Sequence, residues 1–176
     1  MDGLTQLHGA EIAAALIPTT VTLVTARDET GADKVATIAW AMPISHEPSL
    51  MAVSIRPGGQ TACAMERGCF VVNVLPRGAR HAAAVCGRKQ GVADRVAEAR
   101  LALEPARRVD AARVGQAISW LECEVTGHEP CGDHELFIAR TLLAETRGRL
   151  DEAGTLDAPA PLLMAQRGCF GHFEED

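Results

Sequence analysis

The stretch VATIAWAMPISHEPSLMAVSIRPGGQT, residues 35–61, decides how the chain is read. Its first residues complete a β-branched segment that spans about 34–40, and LMAVSI at 50–55 has the continuous apolar character of a buried strand. Between them, AMPISHEP at 41–48 carries two prolines and is predicted to be an irregular connection or barrel corner. Pro57-Gly58-Gly59 breaks the second strand, and residues 60–67 suit a short helix. A strand, a glycine turn and a helix start therefore follow one another within a dozen residues.

Outward from this stretch the chain remains hairpin-rich. TTVTLVTA at 19–26 alternates as a strand, and the polar turn 27–31 leads into the segment at 34–40. Downstream, 69–75 (CFVVNVL) and 119–127 (SWLECEVTG) read as strands. The apolar run 134–145 fits strand or helix by periodicity, and the Gly132-Asp133 turn before it favours a strand paired with its predecessor. A last short strand is expected near 163–170. Residues 5–16, 80–85 and 94–103 have helical character, with Pro18 ending the first, and 171–176 form a solvated tail. About seven short strands with helices in the connections indicate a mainly β barrel in a single domain over 1–176. No G-x-G-x-x-G opens a helix after the first strand and no P-loop occurs, which disfavours a dinucleotide fold of the Rossmann type.

Composition narrows the function classes. With 47% hydrophobic residues the chain can bury a sizeable core, while a net charge of −6, 3% aromatics and no Tyr argue against nucleic-acid binding. No apolar run approaches the roughly 20 residues that span a bilayer. The opening residues lack the pattern of a secretory signal, so the expected location is the cytoplasm and the six cysteines are expected to be reduced. Cys123, His128, Cys131 and His134 have ligand types that suit zinc, but the short C-x2-C knuckle is missing. Ordinary buried or loop residues are the better reading, and no metal is expected.

Two places could carry chemistry. In Ser54-Ile-Arg-Pro-Gly-Gly-Gln-Thr61, the glycines allow close backbone approach, and amides at the helix start, a hydroxyl and a guanidinium would together suit a phosphate. A plain turn with Thr61 capping the helix fits the spacing as well. The second place is Gly132-Asp133-His134-Glu135, where a histidine follows a turn. Histidine is the side chain most readily used for polar contact near neutral pH, although a lone one after a turn is more often on the surface.

Five segments, in order, carry a resemblance: residues 35–61, CFVVNV at 69–74, CGRKQG at 86–91, GDHELFIA at 132–139 and PLLMAQRGCF at 161–170. Together they resemble the flavin reductase-like family of FMN-binding split barrels, from about residue 19 to 170. The resemblance implies a six-stranded Greek-key split β-barrel in a homodimer, with FMN at or near the subunit interface and NADH or NADPH as electron donor. It places Thr37, Ile38, Ala39 and Trp40 along the flavin ring. Ser54, Ile55, Arg56, Gln60 and Thr61 fall at the ribityl chain and phosphate, and Gln90 and Arg95 approach the phosphate side. His134 lies at the nicotinamide pocket, while Asp133 shapes the turn. Trp40 and Arg56 fit the FMN-type branch rather than FAD-using partner reductases, although Trp40 as core and Arg56 as a surface ion pair are competing assignments. Gln90 stands where Ser or Thr is frequent, and Phe170 where Tyr is. The implied activity is flavin reduction, with electrons passed to free flavin, a ferric complex or a small acceptor. The alternative is an FMN-binding electron carrier or flavin store without reductase activity.

Overall fold

The computed structural model describes residues 5–88, 94–166 and 169–171. The main sheet has seven antiparallel strands: β1 (Thr22–Arg27), β2 (Asp33–Ile38), β3 (Ala41–Ser45), β4 (Leu50–Ile55), β5 (Cys69–Val74), β6 (Ser119–Cys131) and β7 (His134–Thr146). Their order across the sheet is β2-β1-β5-β6-β7-β4-β3. The outermost strands, β2 and β3, are joined by only Ala39 and Trp40. Three Cα–Cα steps of about 3.8 Å cannot bridge a flat seven-stranded sheet, so the sheet must roll until its edges nearly meet. Among the described residues no ladder joins β2 to β3, and the roll stays split. The sheet thus has seven strands where the resemblance implied six.

Burial follows from this roll. In β1 the side chains of Leu23 and Val24 point to opposite faces, yet both are fully buried, so the strand is covered on both sides. One core fills the inside of the roll with Val24, Val53, Ile55, Met65, Phe70, Val72 and Phe137. The other lies outside it, where Leu23, Val35, Val71, Trp120 and Leu162 meet α2 (Arg80–Cys86). Asn73 links the outer layer to the sheet. Its amide donates to Leu23 O and Val71 O, and its Oδ1 accepts from Val114 N–H at 2.8 Å.

Several predicted elements change. Residues 41–48 are not wholly irregular, because β3 forms on the sheet edge, where the missing N–H of Pro43 interrupts no second ladder. The 5–16 helix reduces to a 3-10 turn over Gly9–Leu16 with no buried residue. The helix expected at 94–103 is α3 (Arg95–Glu98), capped by Asp94 and followed by Arg100 at φ 54. Leu103–Pro105 then pairs as a strand with Ala112–Val114. The last strand is two, Leu163–Gln166 and Cys169–Gly171, paired with each other. Among the described residues no helix is long and apolar enough to cross a membrane.

Candidate functional site

The strand-turn-helix predicted at 54–61 forms as read. β4 ends at Ile55, Gly58 takes φ +73 in the turn, and α1 (Gln60–Met65) begins directly after Gly59. The first intrahelical bond is Cys63 N–H to Gly59 O at 3.0 Å, so the amides before it have no acceptor within the helix. Thr61 is 3% exposed and its Oγ1 has no hydrogen-bond partner among the described residues. Buried hydroxyls are rarely left unpaired, because the lost hydration goes uncompensated. Gly59, not Thr61, stands at the N-cap, and having no side chain it makes no cap bond. A plain capping role for Thr61 therefore fails, and the hydroxyl is left without an acceptor among the described residues.

Gln60 faces a cleft of about 400 Å³ shared with residues 32–35, Asp94, Arg95 and Leu103. Arg95 donates to Val35 O at 3.0 Å and to Arg88 O at 2.6 Å, tying the chain after α2 to β2. Gln90 lies outside the described residues. Thr37 is half-buried on β2 and donates to Ala83 O at 2.7 Å. Ile38 is a core residue whose carbonyl accepts from Thr22 Oγ1 at 2.9 Å. Ala39 is half-buried at the corner, and the Trp40 carbonyl accepts from Ser54 N–H at 2.9 Å. The side chains of Ile38 and Ile55 point into the core, so at these positions only backbone is left for a ligand.

A second group assembles at the mouth of the β6–β7 hairpin. Gly132, at φ +66, turns the chain so that Asp133 and His134 come beside β4. In the β7–β4 ladder Glu135 is paired with Ile55, which sets His134 level with Arg56. Asp133 Oδ1 lies 2.7 Å from His134 Nδ1, and its Oδ2 lies 3.3 Å from Arg56 Nη1. The hydrogen bond from His134, and then the nearby Arg56 charge, hold the Asp133 carboxyl below its ordinary range. Trp40 is 48% exposed, so it is not core, and its ring sits 4.8 Å from that of His134 at 43°. The structure thus joins Trp40, Arg56, Asp133 and His134, while Gln60 and Arg95 share the neighbouring cleft. Asp133 was read only as a turn former; its ion pair with Arg56 depends on strand register, which local sequence does not carry.

The zinc-like spacing is dispersed along the same hairpin. Cys123 is buried in the core, where desolvation pushes its thiol up to about 12, whereas Cys131 is exposed at the tip. His128 pairs with Glu135 and stacks on Phe137.

The profile of the flavin reductase like domain matches residues 14–171. The chain is 30% identical over 159 residues to the NADH-dependent FMN reductase AsuE2 of Streptomyces nodosus subsp. asukaensis, covering 90% of this chain and 80% of that protein. An FMN-binding protein from Thermus thermophilus superposes with a TM-score of 0.82 at 22% identity, over 98% of this chain and 96% of the other. Flavoredoxin of Desulfovibrio vulgaris gives 0.80 at 22% identity, over 100% and 93%. At those identities the two structures establish the fold alone.

Proposed function

The chain belongs to the flavin reductase like family, and from that premise we propose that it binds FMN and reduces it with NADH or NADPH, passing the electrons to free flavin, a ferric complex or another small acceptor. The observation that carries the reading is the Thr61 hydroxyl, buried and unpaired at the end of a glycine turn. A phosphate oxygen is the acceptor that such a donor lacks, and the free amides of the helix start add further donors. Gln60 and Arg95 border the adjoining cleft and would hold the same end of the cofactor.

FMN, once bound, supplies a ring that takes two electrons from the nicotinamide as hydride and gives them up to the acceptor. The chain's own tasks are binding and orientation. The backbone of 37–40, fixed through Thr37, Ile38 and Trp40, offers a rigid edge beside which the ring would lie. Ser54 and Arg56 would line the path between ring and phosphate, and His134, braced by Trp40 and Asp133, would receive the nicotinamide. The reading includes a cytoplasmic homodimer. Met42 and Ile44 stand exposed along edge strand β3, an apolar surface that a second copy would cover.

Titration of flavin-free protein with FMN, followed by addition of NADH or NADPH, tests the proposal. Binding together with oxidation of either donor supports it. Binding without oxidation selects the carrier or store, and absence of binding refutes both.

A further inference from the structure

The imidazole of His134 is held from two sides, and the hold determines which of its nitrogens can meet a ligand. Its Nδ1 is 2.7 Å from Asp133 Oδ1, and the Trp40 ring packs beside it with centroids 4.8 Å apart at a tilt of 43°. Asp133 is itself anchored by Arg56 on the neighbouring strand, through the second carboxylate oxygen. An ionised carboxylate can only accept hydrogen bonds, and an arginine can only donate them. The proton of a neutral imidazole must then sit on Nδ1, which leaves Nε2 as a bare lone pair. Nε2 has no protein partner among the described residues. A ligand group placed there must offer an N–H or O–H.

We propose that Asp133, braced by Arg56, is a positioning residue that locks His134 in its Nδ1–H tautomer, so that Nε2 accepts a hydrogen bond from the primary carboxamide N–H of the nicotinamide donor. This rests on the reductase reading above and adds a specificity element to it: the site selects donors whose ring substituent carries an N–H. Reduced nicotinamide dinucleotides with an acetyl group in place of the carboxamide can only accept at that position, and they face a second acceptor in Nε2.

Asp133→Asn separates this role from mere support. Its single carbonyl oxygen is drawn to Arg56, a donor, which turns the amide N–H toward Nδ1 and moves the imidazole proton to Nε2. Asp133 is mostly exposed, so the fold should tolerate the change. The first readout is the ¹⁵N signature of the His134 ring in flavin-free protein at about pH 8, above the ordinary histidine range. Protonated Nδ1 and bare Nε2 are expected in the parent, and the reverse in D133N. A bare Nδ1 or a doubly protonated ring in the parent, or the same signature in both proteins, overturns the proposal.

The second readout is the ratio of kcat/KM for NADH to that for its reduced acetylpyridine analogue. Comparing this ratio between parent and variant cancels the intrinsic reactivity of the two donors. D133N should lower it by about tenfold, the worth of one exchanged hydrogen bond. An unchanged ratio overturns the proposal while leaving the reductase reading intact. If neither NADH nor NADPH is oxidised, the proposed carboxamide contact falls with the reductase reading, and the ¹⁵N signature still decides whether Asp133 sets the tautomer.

Discussion

Replacing Thr61 with Val should strengthen the flavin-free protein and weaken its hold on FMN. The side chain is 3% exposed, so its hydroxyl has lost essentially all its water, and no atom of the described residues replaces that water. An unpaired buried hydroxyl costs about 1–3 kcal/mol. Val keeps the branched shape and removes the polar atom, so most of that cost is recovered in the empty protein. At about 2–4 °C per kcal/mol for a chain of this size, its melting temperature should rise by several degrees. The bound state behaves oppositely. A hydrogen bond to a charged phosphate contributes about 1.5–3 kcal/mol, so the Kd for FMN should rise about 10- to 140-fold. Thermal melts without flavin and FMN titration followed by flavin fluorescence measure the two effects separately. A lower melting temperature would mean that the hydroxyl supports the fold, and an unchanged Kd would remove the phosphate from Thr61.

Four further outcomes follow from the rest of the molecule. Glu122 is fully buried and accepts from Arg107 N–H, Arg108 N–H and Arg113, so Glu122→Ala should destabilise by about 2–4 kcal/mol, as read by urea unfolding, by leaving the two amides and one side of the guanidinium without an acceptor while Glu145 still pairs with Arg113. Burial alone would raise the Glu122 pKa, but these donors outweigh it and the net shift is downward. Its stabilising contribution is therefore complete above the ordinary carboxylate range and is lost as pH falls through the depressed value; Glu122→Gln should flatten the acid limb of a stability–pH curve. Trp40→Ala should lower kcat/KM for the nicotinamide donor severalfold by freeing the His134 ring, with stability changed by only about 0.5 kcal/mol because Trp40 is half exposed. Among the described cysteines, Cys63 and Cys131 should react with a thiol reagent in the native protein. Cys86, pushed up to about 11 by burial, and Cys123 should react only on unfolding, as timed labelling and mass spectrometry would show.

What the sequence revealed depended on how local the determining physics was. The turn at Gly58-Gly59 and the strands on either side of it were legible because backbone freedom and apolar runs are written into adjacent residues. Strand β3 was hidden by Pro43, whose cost vanishes only on a sheet edge, and edge position is a property of the whole topology. The polar end of the β6–β7 hairpin, residues 128–131, lacks apolar alternation, so β6 was read too short. The helix at 94–103 was read too long, since Ala-rich composition does not show that Arg100 leaves the helical region. At the site, His134 was legible beside its turn. The Asp133–Arg56 contact was not, because it depends on the pairing of Glu135 with Ile55. The Arg113–Glu122–Glu145 cluster was invisible for a related reason: charged residues read as surface until the fold buries them together.

The absorbance spectrum of the purified protein, taken before and after anaerobic addition of NADH or NADPH, tests the central claim most directly. Flavin bands, present on isolation or after FMN is added, that bleach with one of the two donors are the expected result. A protein that shows no flavin bands and takes up no added FMN would contradict it.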